Sequence, residues 1–182
     1  MSQTVRALFI LGLGLLISAC SITPIDDPDQ RLISATEAPQ NWHARGRFAY
    51  SSEQEKRSGQ FDWRQQGSDY QIRLFGPLGM SSTRISGSSE GVEVESEGES
   101  FFSNQPDQLF FELTGMHIPI EELSHWMTGV SPAQQSADLN WQVKYDDYRD
   151  IEQHRLPSRI DLSNPITDIR IAISEWSLGL ED

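Results

Sequence analysis

The sequence predicts a mainly β domain of the α+β class, in which two short helices form a lid over one face of an antiparallel sheet. Between residues 42 and 95, apolar and polar residues alternate in five successive stretches, as in strands with one buried face. Short segments containing Gly, Ser or Asp separate most of these stretches and predict tight turns. Residues 106–129 instead carry apolar residues at helical spacing, and the alternation returns from residue 141.

Residues 1–19 have the pattern of a secretion signal. Arg6 precedes an uncharged apolar run, residues 7–17, which is too short to span a bilayer. Residues 17–20, Ile-Ser-Ala-Cys, resemble a bacterial lipobox, which implies that Cys20 receives a lipid and becomes the new N-terminus. By resemblance to enterobacterial lipoproteins, Ser21 after the lipid implies the outer membrane, facing the periplasm. The alternative is an ordinary signal peptide with a cysteine there by chance.

Residues 20–41 are predicted to be a lipidated tether, because they contain three prolines and four acidic residues. Residues 42–182 are predicted to form one domain. The whole chain has a formal charge of −13 at pH 7, and the loss of Arg6 with the signal makes the remainder one unit more negative. This balance, together with the lack of a basic run, argues against a nucleic-acid partner. We expect the protein to be a monomer.

The predicted helices have clear start and stop residues. Pro106 suits the first turn of a helix that Gly115 ends, and Pro119 opens a second helix that Gly129 stops. Two short helices in an otherwise β chain suit a plug across the open side of a curved sheet, whose apolar face must be covered.

The apolar faces of three successive strands and of both helices are predicted to line one cavity. The residues that share this inward position are Phe48, Tyr50, Phe61, Trp63, Tyr70, Ile72, Leu74, Leu109, Phe110, Leu113, Leu123 and Trp126.

The turn after the third strand has an unusual composition. Gly76, Pro77, Leu78 and Gly79 form a turn whose tip is apolar, whereas turn tips are more often Asn, Asp, Ser or Gly. Leu78 is therefore either folded back onto the core or directed at an apolar partner outside, such as membrane lipid.

Basic residues are concentrated in one part of this acidic chain. Between residues 44 and 85, seven basic residues accompany four acidic ones. The ordinary explanation of this concentration is that the basic residues lie on solvent-exposed strand faces. The alternative is a docking surface for a charged partner. The residues predicted to form that surface are Arg45, Arg47, Arg64, Arg73 and Arg84.

The sequence contains no catalytic or metal-binding motif that we could recognise. The four histidines fall in no metal-ligand spacing, and neither a GxSxG turn nor a phosphate-binding glycine loop is present. We therefore predict a protein that is not an enzyme and uses neither a metal nor a cofactor.

Several stretches resemble the LolB family of outer-membrane lipoprotein receptors. They are residues 45–50 (RGRFAY), 76–79 (GPLG) and 113–119 (LTGMHIP), and the similarity runs from about residue 42 to 178. The resemblance implies a half-open antiparallel β-barrel, closed by helices around an apolar cavity. It also implies that the protein takes acylated lipoproteins from a soluble LolA-like carrier and places them in the outer membrane, with Leu78 directed at the membrane lipids.

Two other functions compete with this one. A scaffold lipoprotein of another outer-membrane assembly would have its apolar face fully plugged by the helices. A lipid-modifying enzyme would bring a histidine and a serine together inside the cavity.

Overall fold

The computed structural model describes residues 38–76, 82–130 and 141–179. It contains nine strands and two helices within these ranges. The strands are β1 (Asn41–Ser52), β2 (Lys56–Gln66), β3 (Asp69–Phe75), β4 (Ser82–Ser88), β5 (Gly91–Ser96), β6 (Glu99–Ser103), β7 (Gln142–Ile151), β8 (His154–Asn164) and β9 (Thr167–Leu178). The helices are α1 (Pro106–Thr114) and α2 (Ile120–Met127).

All nine strands form one antiparallel sheet in the order β6-β5-β4-β3-β2-β1-β9-β8-β7. Two meanders, β1–β6 and β7–β9, meet where β9 pairs with β1. We call the end of the sheet where β1 begins at Asn41 the lower end, and the end where β1 finishes at Ser52 the upper end. The predicted fold class, a mainly β domain with a helical cover, is confirmed.

One face of the sheet, the inner face, carries the hydrophobic core. The antiparallel register places inward residues opposite each other, as in the pairs Ala44–Trp63 and Ile72–Ile85. All four of these residues are buried. Alternation along each strand leaves the polar residues on the opposite, outer face.

A β-bulge near the lower end of β9 reverses this alternation. Arg45 pairs with Glu175 and Gly46 with Ile173, so Ser174 is the extra residue. Its backbone carbonyl accepts a hydrogen bond from Arg149 (2.7 Å), and its hydroxyl donates one to the carbonyl of Arg45 (3.1 Å). The bulge turns Trp176 inward although it has the opposite parity to Ile173.

Gly46 allows β1 and β9 to approach closely at this bulge. A Cβ atom at position 46 would overlap the backbone carbonyl of Ala172 and would lie 2.9 Å from the ring of Phe61. The backbone carbonyl cannot rotate away as a flexible side chain could. A larger residue at position 46 would therefore separate the strands.

The helices begin and end where the sequence predicts. Pro106 opens α1. Gly115 closes it with φ = 74°, and its backbone N–H donates a hydrogen bond to the carbonyl of Phe111 (2.7 Å). The backbone N–H of Ile120 donates to the Asp107 carboxylate (3.0 Å), which joins the start of α2 to the first turn of α1. The two helices are thus connected as one unit.

Strand β6 was not predicted from the sequence. It is only five residues long, and most of its residues are half-buried or exposed, so it lacks a clear apolar alternation. It forms because the Glu97-Gly98 turn, with positive φ at both residues, folds the chain back onto β5.

Candidate functional site: an apolar cavity under a helical lid

A small apolar cavity lies between the inner face of the sheet and the lid, which we define as residues 106–129. Its volume is about 60 Å³. The lining residues are all apolar: Phe48, Phe61, Trp63, Ile72, Leu74, Ile85, Met116, Ile118, Ile120, Leu123, Met127, Ile169 and Ile171. Such a space holds only a few water-sized groups.

Six of the twelve predicted cavity residues lie on this lining, namely Phe48, Phe61, Trp63, Ile72, Leu74 and Leu123. The other six belong to the surrounding core without lining the cavity: Tyr50, Leu109, Phe110 and Trp126 are buried, and Tyr70 and Leu113 are partly buried. The assignment of all twelve residues to an acyl-chain site remains a prediction.

Seven of the lining residues are not among the twelve predicted, although the apolar face of the second helix already included Ile120 and Met127. Ile85, Ile169 and Ile171 lie on strands whose alternation was recognised, so their parity could have placed them. The remaining four come from the lid: Met116, Ile118, Ile120 and Met127. The first two lie in the extended link between the helices, where helical periodicity gives no signal.

The lower end of the core is packed with tryptophans. The ring of Trp42 lies 5.4 Å from those of both Trp63 and Trp176, measured between centroids. Each indole N–H of the latter two residues has an acceptor: the side-chain oxygen of Gln65 for Trp63 (3.0 Å) and the carbonyl of Pro157 for Trp176 (2.9 Å). This satisfied aromatic cluster closes the lower end.

The lid forms a hairpin whose tip is at the upper end. A Cβ atom on Gly115 would lie 3.4 Å from a carboxylate oxygen of Glu55, in the turn between β1 and β2. At the other end of the lid, a Cβ on Gly129 would lie 3.6 Å from Pro157. Helix α1 therefore runs towards the upper end. The link 115–119 then turns back along α1, because His117 stacks on Phe111 and Ile120 bonds to Asp107 in the first turn of α1, so the part of the lid beside the upper turns is its tip at Gly115. Since tryptophans fill the lower end of the core, we infer that the cavity opens at the upper end.

The predicted membrane-directed turn begins at this upper end. Gly76, at the end of β3, is half-buried, and β4 resumes at Ser82. Pro77, Leu78 and Gly79 lie outside the described residues, as does the predicted lipid anchor Cys20.

The predicted docking arginines lie on the outer face. Arg45, Arg47, Arg64 and Arg84 are exposed, and Arg73 is half-buried. The register places one row of charged residues across six neighbouring strands: Glu175, Arg45, Asp62, Arg73, Arg84 and Glu95.

Acidic neighbours neutralise part of this row. Arg45 pairs with Asp62 (2.8 Å) and Glu175 (3.4 Å), and Arg84 pairs with Glu95 (2.6 Å). Burial on its own raises the pKa of Asp62, but the hydrogen bonds from Arg45 and His43 outweigh it, so the net pKa is lowered. Asp62 thus stays ionised and holds Arg45 in place.

Within ranges 38–76, 82–130 and 141–179, no group of three His, Cys, Asp or Glu side chains is placed to hold a metal ion. The helices found in these ranges are too short or too polar to cross a bilayer.

The family model "Outer membrane lipoprotein LolB" matches residues 40–176. The chain belongs to the LolB family. An outer-membrane lipoprotein LolB from Alkalilimnicola ehrlichii is 34% identical over 194 residues, covering 94% of this chain and 97% of the relative. Another from Aeromonas hydrophila is 29% identical, covering 94% and 96%.

A solved structure supports the same architecture. The crystal structure of a LolA superfamily protein from Nitrosomonas europaea superposes with a TM-score of 0.54, covering 79% of this chain and 89% of that chain at 10% identity. At this identity the likeness concerns the fold alone, so the LolB family member has a LolA-like architecture.

Proposed function

We propose that this LolB family member is the outer-membrane receptor that accepts acylated lipoproteins from a soluble LolA-like carrier and inserts them into the inner leaflet of that membrane. The observation that carries this proposal is the wholly apolar cavity beneath a lid, in a chain that matches the LolB family along most of its length. An apolar enclosure suits acyl chains, because exposing them to water costs about 0.8 kcal/mol per CH₂.

The names of its relatives and the lipobox agree on an outer-membrane lipoprotein, and we propose that the domain faces the periplasm. We propose that Cys20 carries the lipid, that residues 20–41 form the tether and that residues 42–182 form the receptor domain. Several acyl chains on one cysteine would make the anchor lasting, whereas a single chain binds reversibly.

The receptor must open its lid to take up a lipoprotein. Ligand pockets usually measure about 300–1,000 Å³, several times the 60 Å³ present here. The lid residues Met116, Ile118 and Ile120 occupy space that an acyl chain would need. The acyl chain of the lipoprotein would then replace the apolar side chains of the lid against the sheet, so the buried apolar area would stay nearly the same. The flexible side chains of Met116 and Met127 suit such repacking.

Directional transfer then needs only a descending order of free energies, from the carrier to this receptor to the membrane. We propose that the protein transports lipid-modified proteins without catalysing a reaction. In the alternative, a scaffold, the closed lid would be permanent. The small cavity volume fits a permanent lid as well as a resting one, and the family match favours the resting lid.

Two surfaces of the receptor have proposed partners. We assign Leu78 and its neighbours in the turn to the membrane, and the outer-face arginines to the carrier. Among the described residues, no carboxylate forms an ion pair with Arg47 or Arg64, so these two are the stronger docking candidates. We propose that the receptor works as a monomer.

A photoreactive acyl chain tests the proposed function directly. A lipoprotein carrying such a chain is loaded on the carrier, mixed with the receptor and irradiated, and the cross-linked peptides are identified by mass spectrometry. Cross-links to cavity residues on the sheet, such as Ile72 and Leu74, and none to the outer-face Arg84, are expected. A scaffold or a permanently closed lid would give neither transfer nor cavity cross-links.

A further inference from the structure

Three large hydrophobic side chains are exposed in the described part of the chain: Phe102 (67%), Ile166 (49%) and Phe111 (39%). Phe102 lies over Gly91, where a Cβ would come within 2.9 Å of its ring. Phe111 stacks on His117 with 3.8 Å between ring centroids. These two aromatic residues therefore cover groups of the chain itself, whereas Ile166 stands at the tip of the turn between β8 and β9.

This turn is built to hold Ile166 outward. Pro165 fixes its own φ, which stiffens the turn. The backbone N–H of Ile166 donates to the side-chain oxygen of Asn164 (2.9 Å), and the pairing of Asn164 with Thr167 closes the hairpin. Exposure of the isoleucine is thus imposed by a preorganised backbone, so little conformational entropy is lost when it contacts a partner.

The turn projects from the upper end, where the Leu78 turn also begins. Thr167 pairs with Ser52, the last residue of β1. The β3–β4 and β8–β9 hairpins are four strand spacings apart in the sheet order, or about 19 Å along the sheet at about 4.8 Å a spacing. Cavity residues Leu74 and Ile169 lie just below these two turns on the inner face. The last described pairs of the two hairpins, Phe75 with Ser82 and Asn164 with Thr167, therefore lie on opposite sides of the inferred opening.

In the sequence, charge distinguishes these two turns from the β1–β2 and β5–β6 turns at the upper end. Residues 162–167 and 74–83 contain no charged side chain. The β1–β2 turn carries Glu53 and Glu55, and the β5–β6 turn carries Glu97, two residues before Glu99. Uncharged, apolar tips suit entry into a bilayer, where a charge would be costly.

We propose that the β8–β9 turn is a second membrane contact, in which Ile166 enters the apolar layer of the bilayer across the opening from the Leu78 turn. This inference rests on the proposed insertion of lipoproteins into the membrane and assigns a further surface to that step. The bilayer is the occupant because the exposed tip of this turn is apolar and residues 162–167 carry no charge with which a protein partner could pair. Two contacts on opposite sides of the opening fix the tilt of the domain, which one contact cannot do.

A fluorophore at the tip tests this inference in the full lipidated protein. Cys20 is the only cysteine, and its thiol is consumed by the proposed lipid, so Ile166→Cys supplies the one thiol for labelling. The labelled protein is reconstituted in phospholipid vesicles whose acyl chains carry bromine, a contact quencher. We expect quenching of the label at position 166 and none in the matched Phe102→Cys protein, whose label is on the outer face.

The functional counterpart is the Ile166→Glu variant. Insertion into vesicles should slow about fivefold to tenfold, since about half of the isoleucine side chain remains to be buried. Acceptance from the carrier should be unchanged, and Phe102→Glu should leave both steps unchanged.

Absence of quenching at position 166 in a receptor that still inserts lipoproteins overturns the second contact. Quenching or an emission shift that appears only when the carrier is added would mean that the turn contacts the carrier, and it overturns the proposal as well. Failure of the proposed function looks different, because the wild-type protein would then accept no lipoprotein.

Discussion

Truncating the link of the lid at Ile118 should strengthen acyl-chain binding. Ile118 is buried against the cavity, with 9% of its surface exposed. In the proposed open state the link lies away from the sheet and this side chain meets water. The Ile118→Ala substitution therefore removes a contact that stabilises only the closed lid.

The magnitude follows from the buried area. Isoleucine exceeds alanine by three carbons, each worth about 0.8 kcal/mol when buried, which gives about 2.4 kcal/mol at full burial. Allowing for incomplete exposure in the open state, the closed lid loses about 2 kcal/mol, so the open population rises about 30-fold. When opening limits the affinity, the acyl-chain dissociation constant falls by the same factor.

Titration of a fluorescent fatty acid into the two proteins measures this change. Leu156→Ala is the matched control, because Leu156 is fully buried on β8 and does not line the cavity. Both variants should lose thermal stability, whereas only Ile118→Ala should bind more tightly. Weaker or unchanged binding by Ile118→Ala would refute the idea that the lid competes with the acyl chain.

Four other predictions address separate parts of the protein. Leu78→Glu should leave acceptance from the carrier intact and block insertion into vesicles; equal loss of both steps would mean a core or docking role. Gly46→Ala should lower the melting temperature by roughly 6–12 °C, because overpacking against the Ala172 carbonyl costs about 3 kcal/mol; an unchanged melting temperature would show that β1 and β9 can separate freely. The pKa of Asp62 is lower in the folded state, so its stabilisation is present above about pH 4 and is lost as the pH falls further. Chemical unfolding should accordingly find Asp62→Asn less stable than wild type at pH 7, by a margin that shrinks in acid, and a constant margin would contradict this. Association with the carrier should slow with added salt in the wild type and less so when Arg47 and Arg64 are both replaced by Gln, as stopped-flow mixing would show; a rate independent of salt would exclude steering by these charges.

The sequence by itself determined the inner face of the regularly alternating strands and the approximate limits of the helices. Alternation fixes which residues share a face, since successive side chains of a strand point to opposite sides. Pro106 and Gly115 act through their own backbone geometry, so α1 could be bounded without knowing its neighbours. The resemblance at residues 45–50, 76–79 and 113–119 likewise predicted the family that the full comparison then showed.

Only the tertiary structure decided how full the space under the lid is. Alternation shows that Ile72 and Leu74 face inward. It does not show how much of the space beside them the lid residues Met116 and Ile118 fill. The reversal of parity that buries Trp176 depends on the bulge at Ser174, held by Arg149 from a strand two positions away in the sheet. The pairing of Arg45 with Asp62 likewise needed the register of β1 with β2. These features arise from contacts between residues far apart in the chain, and a local pattern cannot encode the distance between two packed surfaces.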